Sequence, residues 1–450
     1  MTQTSLDIAF VVLHTSPLDE PGTKDAGGMN VVVLAQAAEL ARRGHRVRLI
    51  TRRSDPDQPD IVEIEPGLVV HHLDVGPARL LPKGDHEPFI EPFGEALLAL
   101  LRAQPAMLIH AEHWYSGLAA LPAARELGIP LVQSYHSIAA AVDTPLAEGE
   151  RPEAPGRLTG ERRLAHEARL VVTVSEAERR TVIERLGGSP ERVRVVPPGV
   201  DTDLFRPRSV PAHPAPAHPA RPSLSQQSAT CCGLGGAEVA TSDGLPEVPV
   251  EGKRPVGTGP VETGPVRTRP EVLVAGRLDP LKRFDLAIAA VAAIGPDRRP
   301  SLRIIGEPPP DGEAYARSLH EAVAAADMLT ITSFDGALRR SELAERLRQA
   351  ALVLVPSHSE TYGLVALEAA ASGVPVIAAA AGGLREAVID GETGVLIESD
   401  DPAVWAEQIE RLLGDSDVRA RMGARARAHA VRHGWAASTD RLLEVYRELL

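Results

Sequence analysis

Short apolar runs alternate with helical spacing along most of the chain. Strand-like runs fall at 8–13, 47–51, 69–75, 107–110, 131–135, 170–174 and 193–196, with helical stretches at 31–43, 92–102 and 176–186 between them. Strands that alternate with helices predict an α/β fold with a parallel, doubly wound sheet. The pattern lapses from 206 to 270. That segment holds twelve prolines, few large apolar residues and the degenerate repeat Val256-Gly-Thr-Gly-Pro, Val261-Glu-Thr-Gly-Pro, Val266-Arg-Thr-Arg-Pro. Such a composition buries too little apolar surface to offset ordering entropy, and predicts a Pro-rich disordered linker or insertion. The alternation then resumes, with strand-like runs at 272–275, 302–305, 329–332, 352–355, 376–379 and 395–397, and helices at 403–413, 417–432 and 437–450. The chain therefore reads as two Rossmann-like lobes, 1–205 and 271–436, followed by a C-terminal helix at 437–450 that could pack back on the first lobe. The C-terminal edges of the strands in such lobes face a shared central cleft, where a ligand binds.

Composition narrows the function. Of 450 residues, 44% are hydrophobic and 24% charged, ordinary for a globular protein, while aromatics make up 3%, so the core must be mainly aliphatic. A net charge of −13 argues against sequence-independent nucleic-acid binding, which needs a basic footprint. The adjacent pair Cys231-Cys232 excludes a disulfide framework and a cysteine zinc site. No apolar run approaches the roughly 20 residues that span a bilayer, and no basic region precedes the first apolar run, so a cytoplasmic protein without membrane contact is expected.

The most informative stretch is His358-Ser-Glu360-Thr361-Tyr362-Gly363-Leu364-Val-Ala-Leu-Glu368-Ala. It follows the run 352–355 and opens a helix that ends near Ser372-Gly-Val-Pro. A polar turn between strand and helix aims free backbone N–H groups and the positive helix end at one spot, which suits phosphate. The carboxylates of Glu360 and of Glu368, about two turns into the helix, suit hydroxyl groups instead. Phosphate and hydroxyls together describe a nucleotide-sugar. Two more turns lie at strand ends. Asp25-Ala-Gly-Gly28-Met-Asn30 joins the first strand to the first long helix and lacks the dinucleotide fingerprint. Gly276-Arg277-Leu-Asp-Pro-Leu-Lys282-Arg follows the first strand of the second lobe. There Arg277 offers a bidentate fork and Lys282 a point charge to one diphosphate.

These motifs resemble the donor site of retaining glycosyltransferases of the GT-B fold, family four, and the resemblance spans nearly the whole chain outside 207–270. It implies that the first lobe lies on the acceptor side and the second binds the nucleotide-sugar. Glu360 would contact sugar hydroxyls and Glu368 the ribose. Arg277 and Lys282 would hold the diphosphate, which Gly28 approaches. Thr361, Tyr362, Gly363 and Leu364 would form the donor turn, and His136, followed by Ser137, would line the sugar pocket. His136, Arg277, Lys282 and Glu360 are thus the catalytic candidates. His110 belongs to a further family signature. Asp201-x-Asp203 has the look of a metal motif but matches the family's inter-lobe hinge; the resemblance implies cations and helix ends on the diphosphate instead of a metal, and no cofactor is expected.

Within the family the resemblance is nearest to members that glycosylate cyclitols with UDP-N-acetylglucosamine. One group acts on 1D-myo-inositol 3-phosphate in mycothiol biosynthesis, the other on 2-deoxystreptamine in aminoglycoside antibiotic biosynthesis. The acceptor residues it implies are Asn30, Lys83, His113, Ser137 and Arg157. His113 stands where the phosphate-binding group has tyrosine. Inositol phosphate is the leading acceptor and 2-deoxystreptamine the alternative. Glucose as donor sugar, a homodimer, a UDP-sugar epimerase and a non-catalytic nucleotide-sugar binder stay open.

Overall fold

The computed structural model describes residues 5–21, 27–140, 153–208, 269–309 and 312–450. The linker expectation at 206–270 falls outside them but for its ends.

In the first lobe eight strands form one sheet: β1 Asp7–Val12, β2 Arg46–Arg52, β3 Ile61–Glu65, β4 Leu68–Leu73, β5 Leu108–Glu112, β6 Leu131–Ser134, β7 Leu170–Thr173 and β8 Val193–Val195. Their order is β3-β4-β2-β1-β5-β6-β7-β8. All neighbours are parallel except the β3–β4 hairpin. The second lobe has six parallel strands: β9 Glu271–Ala275, β10 Ser301–Ile305, β11 Thr332–Phe334, β12 Leu352–Val355, β13 Val376–Ala379 and β14 Gly394–Ile397, in the order β11-β10-β9-β12-β13-β14. Strands such as Leu352-Val-Leu-Val355 are aliphatic throughout because helices cover both faces of a parallel sheet. In both lobes the order reverses beside the first strand, between β1 and β5 and between β9 and β12. That reversal opens a crevice at the C-terminal strand ends.

Three expectations are corrected. The 329–332 run is not a strand. Leu329 is 67% exposed in a turn after Asp327, and β11 begins at Thr332, where chain direction again matches β10. The edge strand β3 was missed because one side of its Ile-Val-Glu-Ile-Glu is open to solvent. The donor-turn helix starts at Leu364, because Gly363 holds the left-handed φ of 104°. Glu368 therefore lies about one turn in, not two.

The final helix, Trp435–Arg447, returns to the first lobe. Leu442, Leu443, Val445 and Tyr446 share a core cluster with Phe10, Val33 and Leu40. Arg43–Asp440 and Arg194–Glu448 ion pairs flank it.

Candidate active site

The second-lobe candidates converge at its switch point. The turn after β9 is set by Asp279, whose carboxylate accepts from Leu281 N at 2.9 Å and lies 3.4 Å from an Arg277 nitrogen. The Nε of Arg277 is buried and finds no partner among the described residues. The turn after β12 is bound to that after β9, since His358 N donates to Leu281 O at 2.9 Å. Across this junction the ammonium of Lys282 pairs with the Glu360 carboxylate, bringing together charges 78 residues apart. A third turn, after β13, packs so closely that a Cβ on Gly383 would come within 2.1 Å of Thr361 O. Tyr362 is buried in the core beneath, and burial, then Glu386, pushes its phenol up to about 12. Its side chain supports the turn from below, and the sequence alone did not distinguish that from donor contact.

Glu368 is buried. Burial raises its pKa, opposed by the Arg340 guanidinium at 2.8 Å. Arg340 in turn lies 5.0 Å over the Phe205 ring. The sequence held no signal for Arg340, which belongs to a different helix.

Of the first-lobe candidates, Gly28, Asn30, His113, His136 and Ser137 follow the ends of β1, β5 and β6, while Lys83 lies in the turn after β4 and Arg157 at a helix start. Gly28 begins the helix Gly28–Arg42, and a Cβ there would touch Leu364 Cδ1 at 3.2 Å, so the opening turns of the two lobes meet. A second meeting point is Glu386, which accepts from Glu176 N and Ala177 N at 3.0 and 3.1 Å. The Asn30 amide donates to Thr15 Oγ1 and Ser16 O and accepts from Gly27 N. Asn30 thus binds the turn together instead of presenting its side chain outward.

Arg157 is buried at the start of the helix Arg157–Glu167 and is heavily engaged. It donates to Glu161 at 2.8 Å, to Glu153 at 2.7 Å, and to both Ser137 O and Ser137 Oγ at 3.0 Å. Burial would lower its pKa, but the two carboxylates hold it above the usual value. His113 has a φ of 71° and packs its ring 4.3 Å from that of His14 and 5.0 Å from that of Tyr115. Asp85, Glu87, Glu153 and Arg157 all act electrostatically on the Tyr115 phenol. Lys83 opens the turn Lys83–Phe89, and its side chain is outside the described residues.

His136, past the end of β6, adopts φ 57° and places Nε2 2.5 Å from Glu112 Oε2. Glu112 is buried, with His110 Nε2 at 3.6 Å, and His110 bonds Ser134 Oγ at 2.8 Å and the Tyr446 hydroxyl at 2.7 Å. Among the described residues no group of three or more His, Cys, Asp or Glu is arranged to hold a metal, and no helix is long and apolar enough to cross a membrane. Asp201 accepts from Asp203 N and Leu204 N, so it shapes the turn that holds Asp201-x-Asp203.

Two Rossmann-like lobes, with two cations and a helix start at the switch point of the second, define a glycosyltransferase of the GT-B fold. Residues 27–199 match the glycosyl transferase 4-like domain and 260–429 the glycosyl transferases group 1 family. The chain belongs to family four of the glycosyltransferases. It is similar to D-inositol 3-phosphate glycosyltransferases of Kineococcus radiotolerans, at 38% identity over 98% of this chain and 94% of that one, and of Stackebrandtia nassauensis, at 36% over 98% and 91%. Among solved structures it resembles sucrose-phosphate synthase of Thermosynechococcus elongatus, with TM-score 0.79 and 26% identity over 98% of both chains. The Anabaena protein HepE, solved with UDP and glucose, shares the fold at TM-score 0.66 and 20% identity, covering 98% of this chain and 99% of its own.

Proposed function

We propose that the protein transfers N-acetylglucosamine from UDP-N-acetylglucosamine, with retention of configuration, to a hydroxyl of 1D-myo-inositol 3-phosphate. The observation that carries the donor half is the junction of the turns after β9 and β12. It gathers Arg277, Lys282, Glu360 and the start of the helix Leu364–Ala371 at one switch point. Arg277, with a buried Nε that an anionic oxygen would satisfy, and Lys282 would stabilise charge growing on the departing diphosphate. The acceptor hydroxyl would attack the anomeric carbon on the face from which the diphosphate leaves. The new carbon–oxygen bond forms as the carbon–phosphate-oxygen bond breaks, and the departing phosphate oxygen takes the hydroxyl proton. Glu360 would bind sugar hydroxyls, and Glu368, steadied by Arg340, the ribose. The acceptor half rests on the relatives' named activity and on Ser137 being held against Nη2 of Arg157.

A second acceptor, 2-deoxystreptamine, is favoured by a specific observation. Arg157 is compensated by Glu153 and Glu161, and Asp85 and Glu87 act on the nearby Tyr115 phenol, so that among the described side chains carboxylates outnumber cations there, which suits ammonium groups. Assaying purified protein with UDP-N-acetylglucosamine and each cyclitol separates them. Turnover with inositol 3-phosphate and an α-anomeric product is expected. Turnover with 2-deoxystreptamine alone reverses the acceptor assignment, and none with either removes it.

A further inference from the structure

Glu112 is a carboxylate buried at the end of a central strand, and the transfer reaction above assigns it no task. Its surroundings are specific. β5 and β6 pair so that Glu112 lies directly beside Ser134, two residues before His136. After Ser134 the chain turns through Tyr135, whose buried hydroxyl donates to Glu161 O. It then enters the left-handed region at His136, where a residue with a Cβ is uncommon and must be held by its surroundings. What holds it is the 2.5 Å bond from His136 Nε2 to Glu112 Oε2. Behind Glu112 stands a second imidazole, His110, whose two ring nitrogens are both taken, by Ser134 Oγ and by the Tyr446 hydroxyl.

From this geometry we infer that Glu112 is a positioning residue: it occupies Nε2 of His136, fixes the ring at its strained backbone position and dedicates Nδ1 as the nitrogen that meets the bound substrate. This rests on His136 belonging to the active site. The ring is 10% exposed at the C-terminal end of β6, on the side of the sheet edge where ligands bind in this fold.

The chemistry follows from the two ring states. With Nε2–H spent on Glu112, a neutral ring offers only a lone pair at Nδ1, whereas a protonated ring offers Nδ1–H as a donor to a substrate oxygen. The charged groups around His136 are Glu112 and His110 on β5 and Glu178 on the helix Glu176–Glu184. Burial alone would lower His136, but the Glu112 carboxylate and its hydrogen bond, reinforced by Glu178, hold it above the ordinary histidine range. Burial pushes His110 the other way. Glu112 is buried yet kept below the usual carboxylate range by its two imidazoles. Glu112 therefore keeps the Nδ1–H donor in place as pH rises.

The test is the pH profile of kcat/KM together with NMR titration of histidine-labelled protein, the His136 signal being assigned by its loss in His136→Asn. Glu112→Gln can still accept from Nε2 but carries no charge. The alkaline limb and the His136 titration should both move down by about one pH unit or more, so that the loss in kcat/KM grows to roughly tenfold above the wild-type limb. Glu112→Asp, which keeps the charge, should restore the limb toward wild type. An unmoved limb and an unmoved ring titration in Glu112→Gln overturn the proposal, as does a wild-type His136 that titrates at or below the ordinary histidine value. The underlying reading fails separately: His136→Asn with wild-type turnover would remove His136 from the reaction whatever Glu112 does to it.

Discussion

Lys282 and Glu360 show what single residues can and cannot reveal about themselves. Each was legible as a candidate from its own turn, since a cation after one strand and a carboxylate after another both suit a nucleotide-sugar. Their mutual ion pair was not, because it joins residues 78 positions apart. The same holds for Arg340 on Glu368 and for Glu112 on His136. Each is a partner from another element with no local pattern to announce it. Asn30 and Tyr362 were legible as parts of a binding turn, but their side chains turn inward and serve the turn itself. The prediction at this scale concerns the cations. Lys282→Ala and Arg277→Ala should each reduce kcat by about 10²–10³, the cost of losing one preorganised charge stabiliser. Lys282→Ala also leaves Glu360 without its ion-pair partner, so its donor KM should change as well. Steady-state kinetics decides. Wild-type kcat in both variants would separate these cations from the leaving group.

Among the elements, the bounds of β12 and β13 coincide with the runs read from sequence, since each is an unbroken aliphatic segment ended by polar or small residues. β11 failed the same reading because Leu329 and Ile331 are apolar without being in the sheet. The helix Glu176–Glu184 carries more chemistry than its pattern suggested. Ser175 Oγ accepts from Glu178 N at 3.1 Å, the Glu178 carboxylate accepts from Val174 N at 2.7 Å, and Glu386 of the other lobe covers the first two N–H groups. Glu178 lies within this cap. Burial lifts it from its ordinary value of 4.5 to about 7, against the pull of the Val174 N–H and His136, and its second oxygen has no partner among the described residues. The folded protein thus binds this proton more tightly than the unfolded chain does. The stability it contributes is full below about pH 4.5 and is lost as pH rises through 7. Glu178→Gln keeps an acceptor for Val174 N and has no proton to lose. Its melting temperature should match wild type near pH 5 and exceed it at pH 8, by a stability difference on the order of 3 kcal/mol. A constant difference between the two proteins across that range would mean that the fold does not raise the Glu178 pKa.

For the whole molecule, two lobes with cleft-facing strand ends were readable because the hydrophobic alternation runs through both. The sequence offered the last helix as one that could pack back on the first lobe, but not the residues that would hold it there. Its destination depends on Leu442, Leu443 and Tyr446 fitting against the first lobe, and on a buried hydrogen bond from Tyr446 to His110 across 336 residues. Removing Trp435–Arg447 should uncover that apolar cluster, which includes Val33 and Leu40, and leave His110 short of a partner. The truncated chain is expected to aggregate on expression or to melt well below wild type, as read by size exclusion and thermal unfolding. A folded monomer of unchanged melting temperature would show the helix to be dispensable. The same arrangement sets a timetable for synthesis. A chain emerging from the ribosome tends to fold its N-terminal domain first. Here the first lobe must wait for a segment that emerges after the second, because the piece that closes its core is encoded beyond the whole of the other lobe. Through most of translation, the nascent protein therefore presents a partly open apolar face to whatever chaperones attend it.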